Sequence, residues 1–306
     1  MLNSTQVSNV TLAAYFDTGL FKYLCFMIVM LLYVFIVCTS SFLIVVICMN
    51  RSLHEPMYIF LCSLFVNELY GSTGLFPFLL VQILSDVHTV STSYCFLQIF
   101  CLCSYSCVEI FNLTVMSYDR YLAICCPLQY NTHMTSNKIT ILICTVWLYS
   151  SGICFLTISM SVPLKLCGNI INKVYCHNYS IVKLACSDTK ANNVYGLTST
   201  FIFVFCPASL IFYSYMRILK VCFSGSKQTR QKAVSTCTPH LASLINFFCG
   251  CFFEILQNRF DMKHVPNMLR IFLSLYWLTC QPLLNPLLYG LNLSSIRNIC
   301  KHIIFA

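Results

Sequence analysis

The sequence predicts an all-α membrane protein, a bundle of seven membrane-spanning helices followed by a short amphipathic helix at the C-terminus. Three observations carry this. Only 9% of the 306 residues are charged and 58% are hydrophobic, whereas a soluble domain carries roughly 25% charged residues. Two runs, Phe26 to Met49 and Val194 to Met216, are uncharged over 24 and 23 residues, enough to cross a hydrocarbon core about 30 Å thick as a helix. Five more apolar segments follow the same pattern, some with ionisable groups inside them.

The whole chain reads as one unit, residues 1–306. The first 20 residues are polar and show neither a basic leader region nor a small-residue cleavage site, so the first span is expected to act as its own signal anchor. The spans fall at about 24–49, 57–84, 95–120, 139–162, 194–216, 233–256 and 268–291, with 292–306 as a tail. Pro207, Pro239, Pro282 and Pro286 lie inside spans. Each removes a backbone hydrogen bond and kinks its helix, which serves packing or makes a helix that swings cheaply. In the tail, Leu293, Ile296, Ile299 and Ile303 recur every three or four residues with Arg297 and Lys301 between them. That pattern predicts a helix lying on the inner leaflet, where Cys300 is a candidate for a palmitoyl chain.

Seven spans place the termini on opposite sides. With the N-terminus outside, the inner segments hold ten Lys and Arg and the outer segments eight, a small bias by the positive-inside rule. Glycosylation sequons decide it: those at Asn3, Asn9 and Asn178 all become extracellular, while those at Asn112 and Asn292 become silent. The net charge of +9 then implies no nucleic acid, because about half the basic groups face a cytosolic partner or anionic lipid. Of 22 Cys, most lie in spans, where Cys behaves as a small hydrophobe. Cys95, Cys167, Cys176 and Cys186 lie outside, where two disulfides are expected; four Cys allow three pairings.

Intramembrane acids are costly and mark function. Glu68 lies 12 residues beyond Pro56 and Glu109 lies 10 before Asp119, depths of roughly 18 Å and 15 Å at about 1.5 Å per residue. Two carboxylates at one depth must share a proton, a cation or water, or else bond separately to neighbours such as Asn67 or Asn112. The expected site therefore holds a sodium ion or a proton, with no other cofactor.

"MSYDRYLAICCPLQY", from Met116, resembles the signature of odorant (olfactory) receptors, within the rhodopsin-like G-protein-coupled receptors. "LHEPMYIFL", "KLACSDT", "KAVSTCTPHL" and "PLLNPLLYGL" fit the same family in the right places, so the likeness covers about 24 to 300. "VNELYGS" is similar to the receptors of fish. Two departures stand out: Ser40 where an Asn is expected, and Pro239 where a Ser precedes His240.

The resemblance implies that Asp119 holds Arg120 in the resting state, and that outward motion of the sixth helix releases Arg120, beside Tyr121, to a stimulatory G protein that raises cyclic AMP. Tyr215, His240, Asn285, Pro286 and Tyr289 are implied to take part in that switch. It implies the pairings Cys95 with Cys176 and Cys167 with Cys186, and places Glu68 and Glu109 around an ion pocket, with Asn285 a turn or two nearer the cytosol. A small-molecule odorant is expected among Leu102, Cys103, Ser106 and Cys107 of the third helix, Ser199, Thr200 and Phe203 of the fifth, Phe248, Cys251, Phe252 and Ile255 of the sixth, and Leu278 of the seventh. The location implied is the plasma membrane.

Other classes fit less well. An amine receptor carries an Asp where this chain has Leu102, and a visual pigment needs a Lys that 271–291 lacks. A Glu pair suits an ion-coupled transporter, but the halves show no repeat. "HEPMY" lacks the second His of a zinc protease motif, and no G-x-S-x-G is present, so no enzyme is expected.

Overall fold

The computed structural model describes residues 7–15, 19–225, 227–260 and 264–305. Seven helices are long and apolar enough to cross a membrane: α1 (Phe21–Met49), α2 (Pro56–Leu84), α3 (Thr92–Cys125), α4 (Ser136–Ser161), α5 (Lys190–Ser224), α6 (Lys227–Arg259) and α7 (Asn267–Asn292). An eighth, α8 (Ser294–Phe305), follows after one residue. The fold class is the one the sequence predicts.

Burial sorts the helices. In their most apolar windows, 61% of α2 and of α3 is buried inside the protein but only 11% of α5. Helices α2 and α3 are thus the axis of the bundle and α5 a peripheral wall. Phe201, Phe205, Leu210 and Phe212 of α5 are exposed, as expected of side chains whose solvent is hydrocarbon.

Several helices outrun the apolar segments. Helix α3 continues to Cys125 and α5 runs from Lys190 to Ser224. A hydropathy window sees only the stretch immersed in lipid, while backbone hydrogen bonding carries the helix on into water. Pro56 opens α2 at its first turn, where a missing N–H costs nothing. Pro77, Pro207, Pro239, Pro282 and Pro286 all lie within continuous helix.

The end of the bundle that carries the N-terminal segment holds a feature absent from the sequence reading. Strands β1 (Asn9–Leu12), β2 (Thr89–Ser91) and β3 (Ile170–Ile171) form a sheet in the order β2-β1-β3, with β1 antiparallel to β2 and parallel to β3. Val10, Val90 and Ile171 turn inward onto Leu75, Leu79 and Ile99. The sheet therefore ties the N-terminal segment and the long loop to the α2–α3 end. Strands of two to four residues are too short to show a period of two.

Cys95, at the start of α3, is bonded to Cys176 of the long loop, and Cys167 to Cys186 within it. Their Cα atoms lie 5.3 and 5.4 Å apart, in the usual range for disulfides. Asn9 stands exposed on β1, and Asn178 opens a one-turn helix, Asn178–Lys183. Asn3 lies outside the described residues. In α8, Leu293 just before it and Ile296 are buried against the bundle while Arg297 is exposed, so the helix lies with its apolar face inward. Cys300 is half-buried, and the side chain of Ile303 is outside the described set.

Candidate functional site

The C-terminal end of α3 presents the acid–base pair. Arg120 Nε donates to Asp119 Oδ2 at 3.0 Å, and Nη2 contacts the same oxygen. Asp119 Oδ1 accepts 2.7 Å from the hydroxyl of Tyr130, in the short helix Tyr130–His133. Asp119 is fully buried, with both oxygens engaged. Tyr121, next in sequence, lies on the opposite side of the helix with its ring 6.4 Å from that of Tyr213 on α5. Tyr130 was not foreseen as a partner; its position in "CCPLQY", directly after the helix end, was the available signal.

Nearly two turns deeper along α3, a relay joins three helices. Tyr215 of α5 bonds to His240 Nδ1 of α6, and His240 Nε2 lies 3.0 Å from the Leu113 carbonyl of α3. A carbonyl only accepts, so Nε2 must carry the proton. Nδ1 is then the acceptor and the Tyr215 hydroxyl the donor. The sequence singled out both residues; their direct contact, across 25 positions, comes from the fold.

At mid-depth, Glu68 of α2 and Glu109 of α3 are wholly buried and face each other. Asn285 Nδ2 donates to one oxygen of each, at 2.9 Å to Glu109. Asn285 therefore bridges the two carboxyls through its side chain. The remaining oxygens accept from Tyr105 (3.1 Å to Glu68) and Asn67 (3.0 Å to Glu109). Ser243 of α6 donates 2.7 Å to Asn285 Oδ1, so α2, α3, α6 and α7 meet in one polar network. Asn112 instead accepts from Ser63 at 3.3 Å, which accepts from Trp147 of α4 at 3.1 Å. The buried oxygen Asn67 Oδ1 and hydroxyl Ser72 Oγ have no hydrogen-bond partner among the described residues. The carboxylate oxygens and these spare acceptors are hard donors of the kind that suit a cation such as sodium, beside the amide nitrogens of Asn67 and Asn285. Ser40 is fully buried but its hydroxyl also has no partner, so α1 adds no bond to Glu68. Tyr289 is buried one turn below, edge-on to Phe65 at 6.5 Å.

The residues expected around a ligand divide. Ser106 and Ser199 are half-buried and bond to their own helices. Phe203 packs edge-on against Phe111, 5.9 Å away. Phe248 and Cys251 face inward in part, and Leu278 is buried. Leu102 is buried towards α2, beside Gly74. Cys103 and Cys107 turn towards Cys154 of α4. Three positions face out of the bundle: Phe252 is 57% and Ile255 39% exposed, and Thr200 is exposed with its hydroxyl bonded back to Gly196. Counting from a motif fixes depth, but each residue turns the helix by about 100°, so a small error in the count changes the face.

Above this region the loop plugs the bundle. Lys173 forms an ion pair with Glu254 of α6, each side chain 10% exposed. His177 Nε2 lies 3.4 Å from the same oxygen. Tyr175 is buried beneath, donating 3.3 Å to the Ser274 carbonyl of α7. None of these four was singled out from sequence, because nothing local in the loop shows which helix it will meet. At the inner end, a groove of about 230 Å³ opens between α5 and α6, lined by Tyr215, Ile218, Cys222, Arg230, Cys237 and Leu241 among others.

A sequence model of the olfactory receptor family matches residues 29–306. The chain is 35% identical over 262 residues to human olfactory receptor 52D1, covering 85% of this chain and 82% of that one. To mouse olfactory receptor 4E2 it is 31% identical over 304 residues, 99% and 97% of the two chains. Among solved structures, squid rhodopsin superposes with a TM-score of 0.76 at 16% identity, over 97% of this chain and 90% of that one; this is a likeness of fold.

Proposed function

We propose, on the premise that this chain belongs to the olfactory receptor family, that it is an odorant receptor that binds a small molecule within the bundle and activates a stimulatory G protein, raising cyclic AMP. As a multi-pass membrane signalling receptor it is not an enzyme. We place it in the plasma membrane with its N-terminus outside and its Asp119-Arg120 end in the cytosol.

The observation that carries the reading is the relay at the inner ends of α3, α5 and α6. Arg120 is occupied by its own neighbour, and His240 of α6 bonds to both α3 and α5. Outward motion of α6 has to break both His240 bonds. It also opens the groove beside Cys237, into which Arg120 can then turn. A helix from the G-protein α subunit fits such an opening, and the basic inner ends of α5 and α6, with Arg217, Lys220 and Arg230, suit an acidic partner. Two arrangements exchanged by breaking a few bonds are what a ligand can bias.

A small molecule held by Ser106, Ser199, Phe203, Phe248 and Cys251 supplies the bias. A sodium ion or one shared proton between Glu68 and Glu109 neutralises the pair and favours the closed network, since two bare charges repel strongly at low dielectric. Glu109→Gln is then expected to weaken the effect of sodium on agonist response at matched expression; an unchanged sodium titration would leave Glu109 as a hydrogen-bonding packer.

The test of coupling is nucleotide exchange on a stimulatory α subunit in receptor-containing membranes, with cyclic AMP read across a small-molecule panel. Arg120→Ala should abolish the response at normal surface level. Equal responses with and without Arg120 would sink the mechanism.

A further inference from the structure

Three cysteine sulfurs meet where α3 crosses α4. Cys103 and Cys107 are one turn apart on α3, and Cys154 reaches them from α4; all three Sγ atoms lie within 4.8 Å of one another. Cys154 is fully buried, Cys107 nearly so, and Cys103 partly. Among the described residues, no His, Asp or Glu joins the cluster.

The geometry points to a binding site for a soft monovalent metal ion, Cu(I), held by the three sulfurs in a trigonal arrangement. Three sulfurs in a plane around an ion, at metal–sulfur bonds of about 2.3 Å, stand about 4 Å apart. The triangle needs to close by less than about an ångström from its present spacing, within reach of χ1 adjustment at three side chains. Thiol ligands select Cu(I) over hard cations, which prefer oxygen. Zinc prefers a fourth ligand in its structural sites, and the cluster offers none. Cysteine binds metal as the thiolate, so each of the three sulfurs gives up its proton as the ion bonds; three protons leave, no electron moves, and the metal stays Cu(I).

Such an ion would clamp α3 to α4 on the outer half of the bundle. The two helices already share the edge-on ring pair Phe111 and Tyr149, 5.6 Å apart. The site differs from the Glu68–Glu109 network in position, ligand chemistry and ion, and it stands whether or not the receptor reading holds.

The experiment uses the full-length protein, reduced and reconstituted in phospholipid nanodiscs, with Cu(I) supplied against a chromogenic Cu(I) chelator. Eighteen cysteines are free, so the comparison is between wild type and single isosteric variants, Cys103→Ser and Cys154→Ser. Wild type should take up one equivalent at least ten-fold more tightly than either variant. Its thermal midpoint should rise with Cu(I) while theirs does not, and X-ray absorption of the loaded protein should count three sulfurs. Retention of the tight equivalent in both variants, or a two-sulfur environment, would overturn the site. If Cys154→Ser does not fold, Cys107→Ser gives the same comparison, and the sulfur count on wild type alone still decides.

Discussion

His240 holds two roles in one ring. Its Nε2 proton is committed to the Leu113 carbonyl, and that commitment makes Nδ1 the acceptor for Tyr215. Removing the hydroxyl should therefore cost one hydrogen bond, about 1 kcal/mol, and loosen α5 while α6 stays tied to α3. Tyr215→Phe is expected to lower thermal stability slightly and raise basal cyclic AMP. His240→Ala severs both links and should raise basal signalling further, at a larger stability loss; basal activity below wild type in both would refute the lock. Gly71 gives a second residue-scale case. A Cβ there would overlap the Tyr105 ring, and Tyr105 donates to Glu68. Gly71→Ala should thus reduce the folded, surface-exposed fraction several-fold, measured by cell-surface labelling, even though Ala is the better helix former. At this scale the sequence named His240, Tyr215, Glu68 and Glu109 but not Tyr105. An uncharged Tyr among many carries no mark until its distance to a carboxyl is known.

The loop between α4 and α5 behaves as an element in its own right, stapled at Cys95–Cys176, stitched to β1 through β3 and plugged into α6 and α7. Its Lys173–Glu254 pair is buried, and breaking such a pair by removing one partner costs about 3–5 kcal/mol, while removing both leaves little penalty. Lys173→Met should lower the thermal midpoint by several degrees, and adding Glu254→Gln should recover most of it. Recovery is the informative outcome, because additive losses would mean the two side chains act independently. His177 sets the pH dependence. Burial, reinforced by the Lys173 charge, pushes its imidazole down to about 4; Glu254 pulls the other way but is already neutralised by Lys173. An undocked His titrates near 6.5, so the docked loop binds fewer protons between those values. Docking is then fully stable above about pH 6.5 and weakens as pH falls towards 4. Protease nicking of the loop should rise over that window in wild type and stay flat in His177→Gln. Of this element the sequence showed the cysteines and, through the family likeness, their partners. It could not show the sheet, whose strands are too short to leave a pattern, or the ion pair, whose members stand 81 positions apart.

At the scale of the whole receptor, the two ends are built differently. The outer core gathers β1, β2, the loop and the upper parts of α2, α3 and α7 around Tyr105 and Tyr175, under two disulfides. By the chain-entropy argument, a link across 81 residues restrains the unfolded chain by about 4–5 kcal/mol. The inner core is larger but has no covalent tie, and α5 meets α6 there across a groove with the Tyr215–His240 bond as its main polar join. This asymmetry follows from composition: oxidisable cysteines sit on one side, and the apolar periodicity that locates helices says nothing about how tightly two neighbours pack. A bundle rigid outside and loosely joined inside should open at its inner end first, because local opening follows the fewest buried contacts. Hydrogen exchange on the reconstituted receptor is expected to show the slowest amides in α2 and α3, and faster exchange in the inner halves of α5 and α6, from about Tyr215 to Cys237. Reducing Cys95–Cys176 should speed exchange around β1 and the loop while leaving the inner ends unchanged. If reduction loosened α5 and α6 equally, the two halves would be one cooperative unit, and an inner-end switch powered by three side chains would be untenable.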